Sequence, residues 1–148
     1  MLTIRNVEPQ DIFSVIKLAH ETLPERYTPS LFTTFYEGFP QGFFIALNHQ
    51  KIVGFLIGIK SDTNTAKILM IAVDKNYRKK GVGSALLHSF FNKMMLENIH
   101  RVTLEVRTNN SSALQFYITH GFIIYETIKG FYQKGEDAYS MIKKIINA

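Results

Sequence analysis

Arg78-Lys79-Lys80-Gly81-Val82-Gly83-Ser84 sets three positive charges and two glycines where a strand-like segment, Ile68 to Val73, gives way to a helix-like one. The first turn of a helix carries unpaired backbone N–H groups and the positive end of the helix dipole, which together bind phosphate. Glycine lets a phosphate come close to the backbone, and the basic side chains stand at the mouth of such a site. A diphosphate is the guest this arrangement suits. The alternative is a tight turn whose basic residues are simply solvated. The run is neither the Gly-x-Gly-x-x-Gly of a dinucleotide site nor a P-loop. Further along, Glu105 lies on the polar face of an alternating segment, Val102 to Arg107, and reads by period alone as a solvated strand residue. The next helix opens at Asn110 and carries Ala113, Leu114 and Tyr117, so that a phenol projects toward the end of the strand bearing Glu105. Tyr117 also suits a core aromatic, and Asn110 a helix cap, or cap and ligand contact together.

The elements that must position these residues emerge from periodicity. Leu2 to Val7 alternates like a strand, and Glu8-Pro9 starts a helix carrying Ile12, Val15, Ile16 and Ala19. A loop through Leu23 to Tyr27 leads to a short helix near Pro29 to Tyr36. Gly42 to Leu47 and Ile52 to Ile59 read as a hairpin, with a third strand from Ala66 to Val73. Val82, Leu86, Leu87, Phe90, Phe91, Met94 and Met95 mark the core face of a helix from about Gly81 to Glu97. A strand Arg101 to Arg107, a helix Asn110 to His120 ended by a left-handed Gly121, and strands Phe122 to Ile128 and Ala138 to Ile145 complete the chain. The order is βααβββαβαββ, an α/β arrangement with a mixed sheet.

Bulk properties narrow the function. The 148 residues, 46% hydrophobic and 20% charged, suit a single ordered domain spanning 1–148. The absence of cysteine excludes disulfides, thiolate metal ligands and a Cys nucleophile, and is compatible with a reducing compartment. His20, His49, His88, His100 and His120 are scattered without an i, i+4 pair, so no metal site is expected. No stretch approaches the roughly 20 apolar residues of a membrane span, which points to a soluble cytoplasmic protein. The net charge of +5 favours an acidic ligand. The basic cluster abuts a glycine turn and no recognition-helix or RNA-stacking signature accompanies it, so specific nucleic-acid binding is not expected.

Taken together, Ile71-Ala72-Val73, Tyr77-Arg78-x-x-Gly81-x-Gly83 and Leu104-Glu-Val-Arg107-x-x-Asn110-x-x-Ala113-x-x-Phe-Tyr117-x-x-x-Gly121-Phe122 resemble the GNAT superfamily of N-acetyltransferases. Within it the chain looks most like the branch that acetylates protein N-termini, the ribosomal-protein alanine and archaeal N-terminal acetyltransferases. Leu23-Pro24-Glu25, Gly130-Phe131-Tyr132 and Asp137-Ala138-Tyr139 resemble that branch's peptide-binding loops. The resemblance implies a three-layer fold, a central mixed, mostly antiparallel sheet flanked by helices. It implies acetyl-CoA as acetyl donor, with the backbone of Ile71, Ala72 and Val73 along the pantetheine arm. Arg78, Lys79, Lys80, Gly81, Val82, Gly83 and Ser84 would hold the pyrophosphate, while Asn110 and Tyr117 would touch the cofactor as well. It implies Glu105 as general base, directly or through water, and Tyr117 as general acid, with Glu25, Tyr27, Phe131 and Tyr132 walling the acceptor groove. Protein or peptide N-termini are the implied acceptors, with ribosomal or auxiliary-subunit association as a further possibility of the branch. Lys75 stands where the family often has Pro, which should loosen a turn, and Phe131 where the branch often has Tyr.

The chemistry so implied has clear demands. Acetyl transfer from a thioester needs a neutral amine, and an α-amino group, with a reference pKa near 8 against about 10.4 for lysine, is the easier to deprotonate. Partial burial would bring a glutamate base closer to working pH. A backbone N–H near Ile71 to Val73 would hold the developing oxyanion if that strand is not fully paired. The competing readings are a same-fold acetyltransferase of small amines or lysine side chains and a non-catalytic acyl-CoA-binding regulator.

Overall fold

Each helix starts and stops on local chemistry. In the computed structural model, which describes residues 1–146, strand β1 (Leu2–Asn6) leads into a 3-10 turn at Pro9–Asp11 and helix α1 (Ile12–Thr22). Pro9 opens that turn because its missing N–H would be unpaired there anyway, and the Asp11 carboxylate accepts from the Glu8 N–H at 2.8 Å. Two Arg5 nitrogens reach the same carboxylate, at 2.7 and 3.2 Å, tying α1 to β1. Helix α2 (Pro29–Gly38) again has proline in its first turn.

Strands β2 (Phe43–Asn48), β3 (Lys51–Asp62) and β4 (Thr65–Val73) form an antiparallel meander. Helix α3 (Val82–Leu96), strand β5 (Arg101–Arg107), helix α4 (Ser111–Thr119) and strands β6 (Ile123–Ile128) and β7 (Ala138–Lys144) come next. The order βααβββαβαββ is the one the sequence pattern predicts. Gly121 at φ +93° ends α4 as expected.

Among the described residues all strands lie in one sheet, ordered β1-β2-β3-β4-β5-β7-β6, in which only the β4–β5 pair is parallel. Helices cover both faces. On one side Leu86, Leu87, Phe90 and Met94 of α3 pack with Leu104, Phe122 and Met141. On the other, Val15 and Leu18 of α1 and Phe32 of α2 pack on Phe43, Ile45, Phe55 and Ile57. The α3 stripe read from sequence is core at Phe90, Phe91 and Met94, but Met95 is 41% exposed, because it sits at the margin of the buried arc.

One irregularity escapes the periodicity. Ile57 pairs with Met70 while Gly58 pairs with Ile68, so Leu69 is a bulge in β4. An extra residue swaps the faces of the residues beyond it. Ile71 and Val73 therefore join the α3-side core with Ala66 and Ile68, whereas Met70 and Ala72 face α1 and α2. Among the described residues no helix is long and apolar enough to cross a membrane.

Candidate active site

The sheet opens in its middle. Strand β4 pairs with β5 only where Thr65, Ala66 and Lys67 meet Arg101, Val102 and Thr103. Beyond Lys67 the two strands part, leaving the β5-facing side of β4 without a strand neighbour. The Asp74 N–H donates to Val53 O of β3 at 2.8 Å, which fixes the alternation of backbone groups. Ala72 is thus turned to β3, opposite Phe55, while the N–H and C=O of Ile71 and Val73 point into the gap. Of the three residues expected along a pantetheine arm, Ile71 and Val73 offer backbone hydrogen bonds there and Ala72 does not.

The basic turn lies at the end of this gap. Asp74 caps a 3-10 turn, Lys75–Tyr77, by accepting from the Asn76 N–H at 3.0 Å. The turn is therefore closed with Lys75 in place, rather than loosened by it. Arg78 Nε donates to Val73 O at 3.1 Å, bringing a guanidinium to the mouth of the gap. Lys79 and Gly81 adopt φ of +61° and +83°, the left-handed region in which glycine is unstrained. Gly81 provides no side-chain cap to α3, and a helix start of that kind leaves its first N–H groups, here those of Val82, Gly83 and Ser84, able to bind an anion. A Cβ at Gly83 would point at the Phe116 ring, 3.1 Å away, so glycine there also lets α4 lie close to α3. Ser84 Oγ is hydrogen bonded to His120 Nε2 at 2.9 Å.

Glu105 and Arg107 share the polar face of β5, one alternation apart. Glu105, its side chain 13% exposed, pairs with Lys67 of β4 at 2.9 Å. It thus faces an ammonium, rather than the apolar surroundings expected of a base tuned by burial. Arg107 gathers the two loops that border this face. Its guanidinium bonds to Glu25 of the α1–α2 loop and, at 3.2 Å, to Glu136 of the β6–β7 loop, and lies 4.0 Å from the Tyr132 ring centroid. Such a stacked, forked contact suits arginine's planar charge. A cleft of about 420 Å³ opens beside it, bordered by Glu25, Arg107, Asn110 and Glu136. Glu136 Oε1 is buried there without a hydrogen-bond partner.

Two phenols complete the cluster. Burial pushes the Tyr117 hydroxyl well above the ordinary tyrosine range, and the neighbouring Tyr132 adds to the shift. Its ring packs edge-on against Phe116 and Phe122, and its hydroxyl makes no hydrogen bond among the described residues. Burial also raises the Tyr132 phenol, an effect Arg107 opposes and Glu105, Tyr27 and Glu136 reinforce. Tyr27 is raised by burial. The structure thus brings Glu25, Tyr27, Glu105, Tyr117 and Tyr132 into one neighbourhood. Phe131 lies outermost, 45% exposed and edge-on to Tyr132 with centroids 5.0 Å apart. Asn110 caps α4, accepting from the Ala113 N–H at 3.2 Å.

Sequence reasoning misses four participants. Arg107 is legible as one, since strand alternation puts it on the face of Glu105. Lys67 and Glu136 reach the site through long-range pairing that no local pattern announces. His120 meets Ser84 and lies 5.8 Å, ring to ring, from His88, although 36 and 32 residues separate these partners. A larger cavity of about 550 Å³, between α1 and the β2–β3 hairpin, shares no lining residue with this cluster.

Residues 12–122 match the acetyltransferase (GNAT) family. The chain belongs to that family. It is 30% identical to an N-alpha-acetyltransferase of Saccharolobus solfataricus over 155 residues, covering 97% of this chain and 93% of the relative. Its fold superposes on the crystal structure of Ard1 from Thermoplasma volcanium with a TM-score of 0.94, at 36% identity and 99% coverage of both chains. The ribosomal-protein-S18-alanine N-acetyltransferase of Escherichia coli gives a TM-score of 0.88 at 25% identity, covering 100% of this chain and 96% of that one.

Proposed function

We propose that this chain, as one domain over residues 1–148, transfers the acetyl group of acetyl-CoA to the α-amino group of protein or peptide N-termini. The observation that carries the reading is the gap between β4 and β5, with the N–H and C=O of Ile71 and the N–H of Val73 turned into it and a basic helix start at its end. An extended arm with a diphosphate fits both features. The acyl-CoA supplies a reactive thioester, and everything else falls to the chain. Arg78, Lys79, Lys80 and the N–H groups of Val82, Gly83 and Ser84 hold the pyrophosphate. An N–H of Ile71 or Val73 steadies the carbonyl oxygen as charge grows on it. Asn110 borders the same end of β5.

On the opposite side, Arg107 clamps the two loops whose Glu25, Tyr27, Phe131 and Tyr132 wall the acceptor groove. Glu105 takes the proton of the α-ammonium, directly or through water. Tyr117, kept protonated by burial, donates a proton to the departing thiolate. Orientation of the two substrates in one ternary complex supplies much of the acceleration. N-alpha-acetylation is what the Saccharolobus solfataricus relative's name records. The cytoplasm is the proposed compartment, and a ribosomal or auxiliary-subunit partner would meet the chain there.

Mass spectrometry after incubation with acetyl-CoA tests this on a peptide library varied at its first two positions. Acetylation of free N-termini, with N-blocked peptides carrying an internal lysine left unmodified, is the expected result. Preferential modification of the lysine would replace the acceptor assignment, and coenzyme release that never depends on amine would remove the enzymatic one.

A further inference from the structure

A neutral imidazole carries hydrogen on one nitrogen only. His120 Nδ1 lies 2.8 Å from the Phe116 carbonyl oxygen, which accepts but cannot donate, so Nδ1 holds the hydrogen. In the neutral ring Nε2 is then an acceptor, and its partner at 2.9 Å, Ser84 Oγ, must give it the hydroxyl proton. Ser84 is also the third residue of α3, among those whose N–H groups face the anion site. A serine hydroxyl has a single proton. It cannot serve His120 and a phosphate oxygen together.

Basic and aromatic groups surround the ring. His88 of α3 lies 5.8 Å away, and Lys143 of β7 donates to the His120 carbonyl oxygen at 2.7 Å. From α4 the ring meets uncharged Phe116, 4.6 Å between centroids. A bound diphosphate would bring negative charge beside the ring, which favours a proton on the imidazole.

We infer that His120 is a positioning residue of the coenzyme site: as the pyrophosphate binds, Nε2 takes up a proton from solvent, keeps it and hydrogen bonds through it to Ser84 Oγ, freeing the Ser84 O–H for a phosphate oxygen. This rests on the reading that the Lys79 to Ser84 turn holds the pyrophosphate. One proton enters the ring and no covalent bond to the ligand forms or breaks. By linkage, coenzyme affinity rises as pH falls through the range in which imidazole titrates.

Titration calorimetry with dephospho-coenzyme A, which lacks the titratable 3′-phosphate, tests the inference on the whole chain. At pH 7.5, in buffers of different ionisation enthalpy, binding should take up a substantial fraction of a proton. Affinity should rise roughly tenfold between pH 8 and pH 6, the difference between a neutral and a charge-assisted hydrogen bond. Ser84→Ala should abolish the uptake. His120→Gln, whose amide donates at every pH, should bind nearly as tightly as wild type at pH 6 with no pH dependence, whereas His88→Gln should keep the uptake. Wild-type binding without proton uptake, uptake that survives Ser84→Ala and His120→Gln, or uptake lost with His88→Gln would each overturn it. Affinity indifferent to a combined Lys79→Glu and Lys80→Glu change would instead remove the pyrophosphate site itself, and the inference with it.

Discussion

Glu105 and Tyr117 sit in opposite electrostatic surroundings. The carboxylate lies beside the Lys67 ammonium at 2.9 Å and near the Arg107 clamp, whereas the phenol is enclosed by Phe116 and Phe122. Glu105→Gln and Tyr117→Phe should each lower kcat by about ten- to a thousandfold while leaving coenzyme affinity within about twofold. Steady-state rates with calorimetric Kd values check this, and wild-type kcat in both variants would remove the assigned roles. Tyr117 also carries a stability signature. Its folded pKa is raised, so its contribution is intact below the ordinary tyrosine value of 10 and is lost as pH rises past it. Denaturant midpoints of wild type should therefore fall relative to Tyr117→Phe above pH 10 and track it at pH 7 to 9. Arg107 acts through others. Arg107→Ala should free both loops and raise the peptide KM by about tenfold or more, with Kd for the coenzyme unmoved. From the sequence, Glu105 and Tyr117 each read equally as ordinary strand and core residues. Helix placement turned the phenol toward the end of the strand bearing Glu105, but their roles as base and acid came only from a family resemblance, because side chains 12 residues apart in the chain have no local rule that assigns them.

Elements depend on a few contacts that local propensity cannot supply. Asp11 is one, since its carboxylate joins α1 to β1 through two bonds from Arg5 and one from the Glu8 N–H. Burial pushes its pKa up, but Arg5 and that N–H outweigh burial and hold it below the ordinary value of 3.8. A lowered carboxyl pKa stabilises the fold above that value and loses its effect as pH falls through the folded one. Asp11→Asn should cost about 1–3 kcal/mol at pH 7 in chemical denaturation, and the gap from wild type should close below about pH 4. A gap constant down to pH 3 would assign the cost to packing. Gly58 is another such point: a Cβ there would come within 2.5 Å of the Phe90 ring, fully buried between Phe44 and Phe91. Gly58→Ala should lose about 1–3 kcal/mol or more, as overpacked cores do. Helices and strands were legible because their periods of 3.6 and 2 are written in the apolar residues themselves. The bulge at Leu69 was not, since Ile68-Leu69-Met70-Ile71 is apolar on both alternations and either register buries it. That single residue decides that Ile71 and Val73, rather than Ala72, face the gap.

At the scale of the molecule, the sheet is two parts, β1 to β4 and β5 to β7, held together along their strands only between Thr65–Lys67 and Arg101–Thr103. An arm lying in the gap would add the missing strand-like hydrogen bonds, so coenzyme binding should stabilise the whole fold and not just its pocket. Coenzyme A at a hundred times its Kd should raise stability by about 2.7 kcal/mol, a shift in Tm of roughly 5–11 °C for a chain of this size. Ligand of any kind would do that much; the pattern of protection discriminates. Without ligand, the Ile71 and Val73 amides have no strand partner on the β5 side and should exchange quickly with deuterated solvent, while Ala72, turned to β3, exchanges slowly. Bound coenzyme A should slow Ile71, Val73 and the α3 start at Val82 to Ser84 by tenfold or more and leave Ala72 little changed. Hydrogen exchange resolved by NMR reads each amide separately. Protection spread evenly over β4, or confined to the 550 Å³ cavity beside α1, would mean that the gap is not where the arm lies.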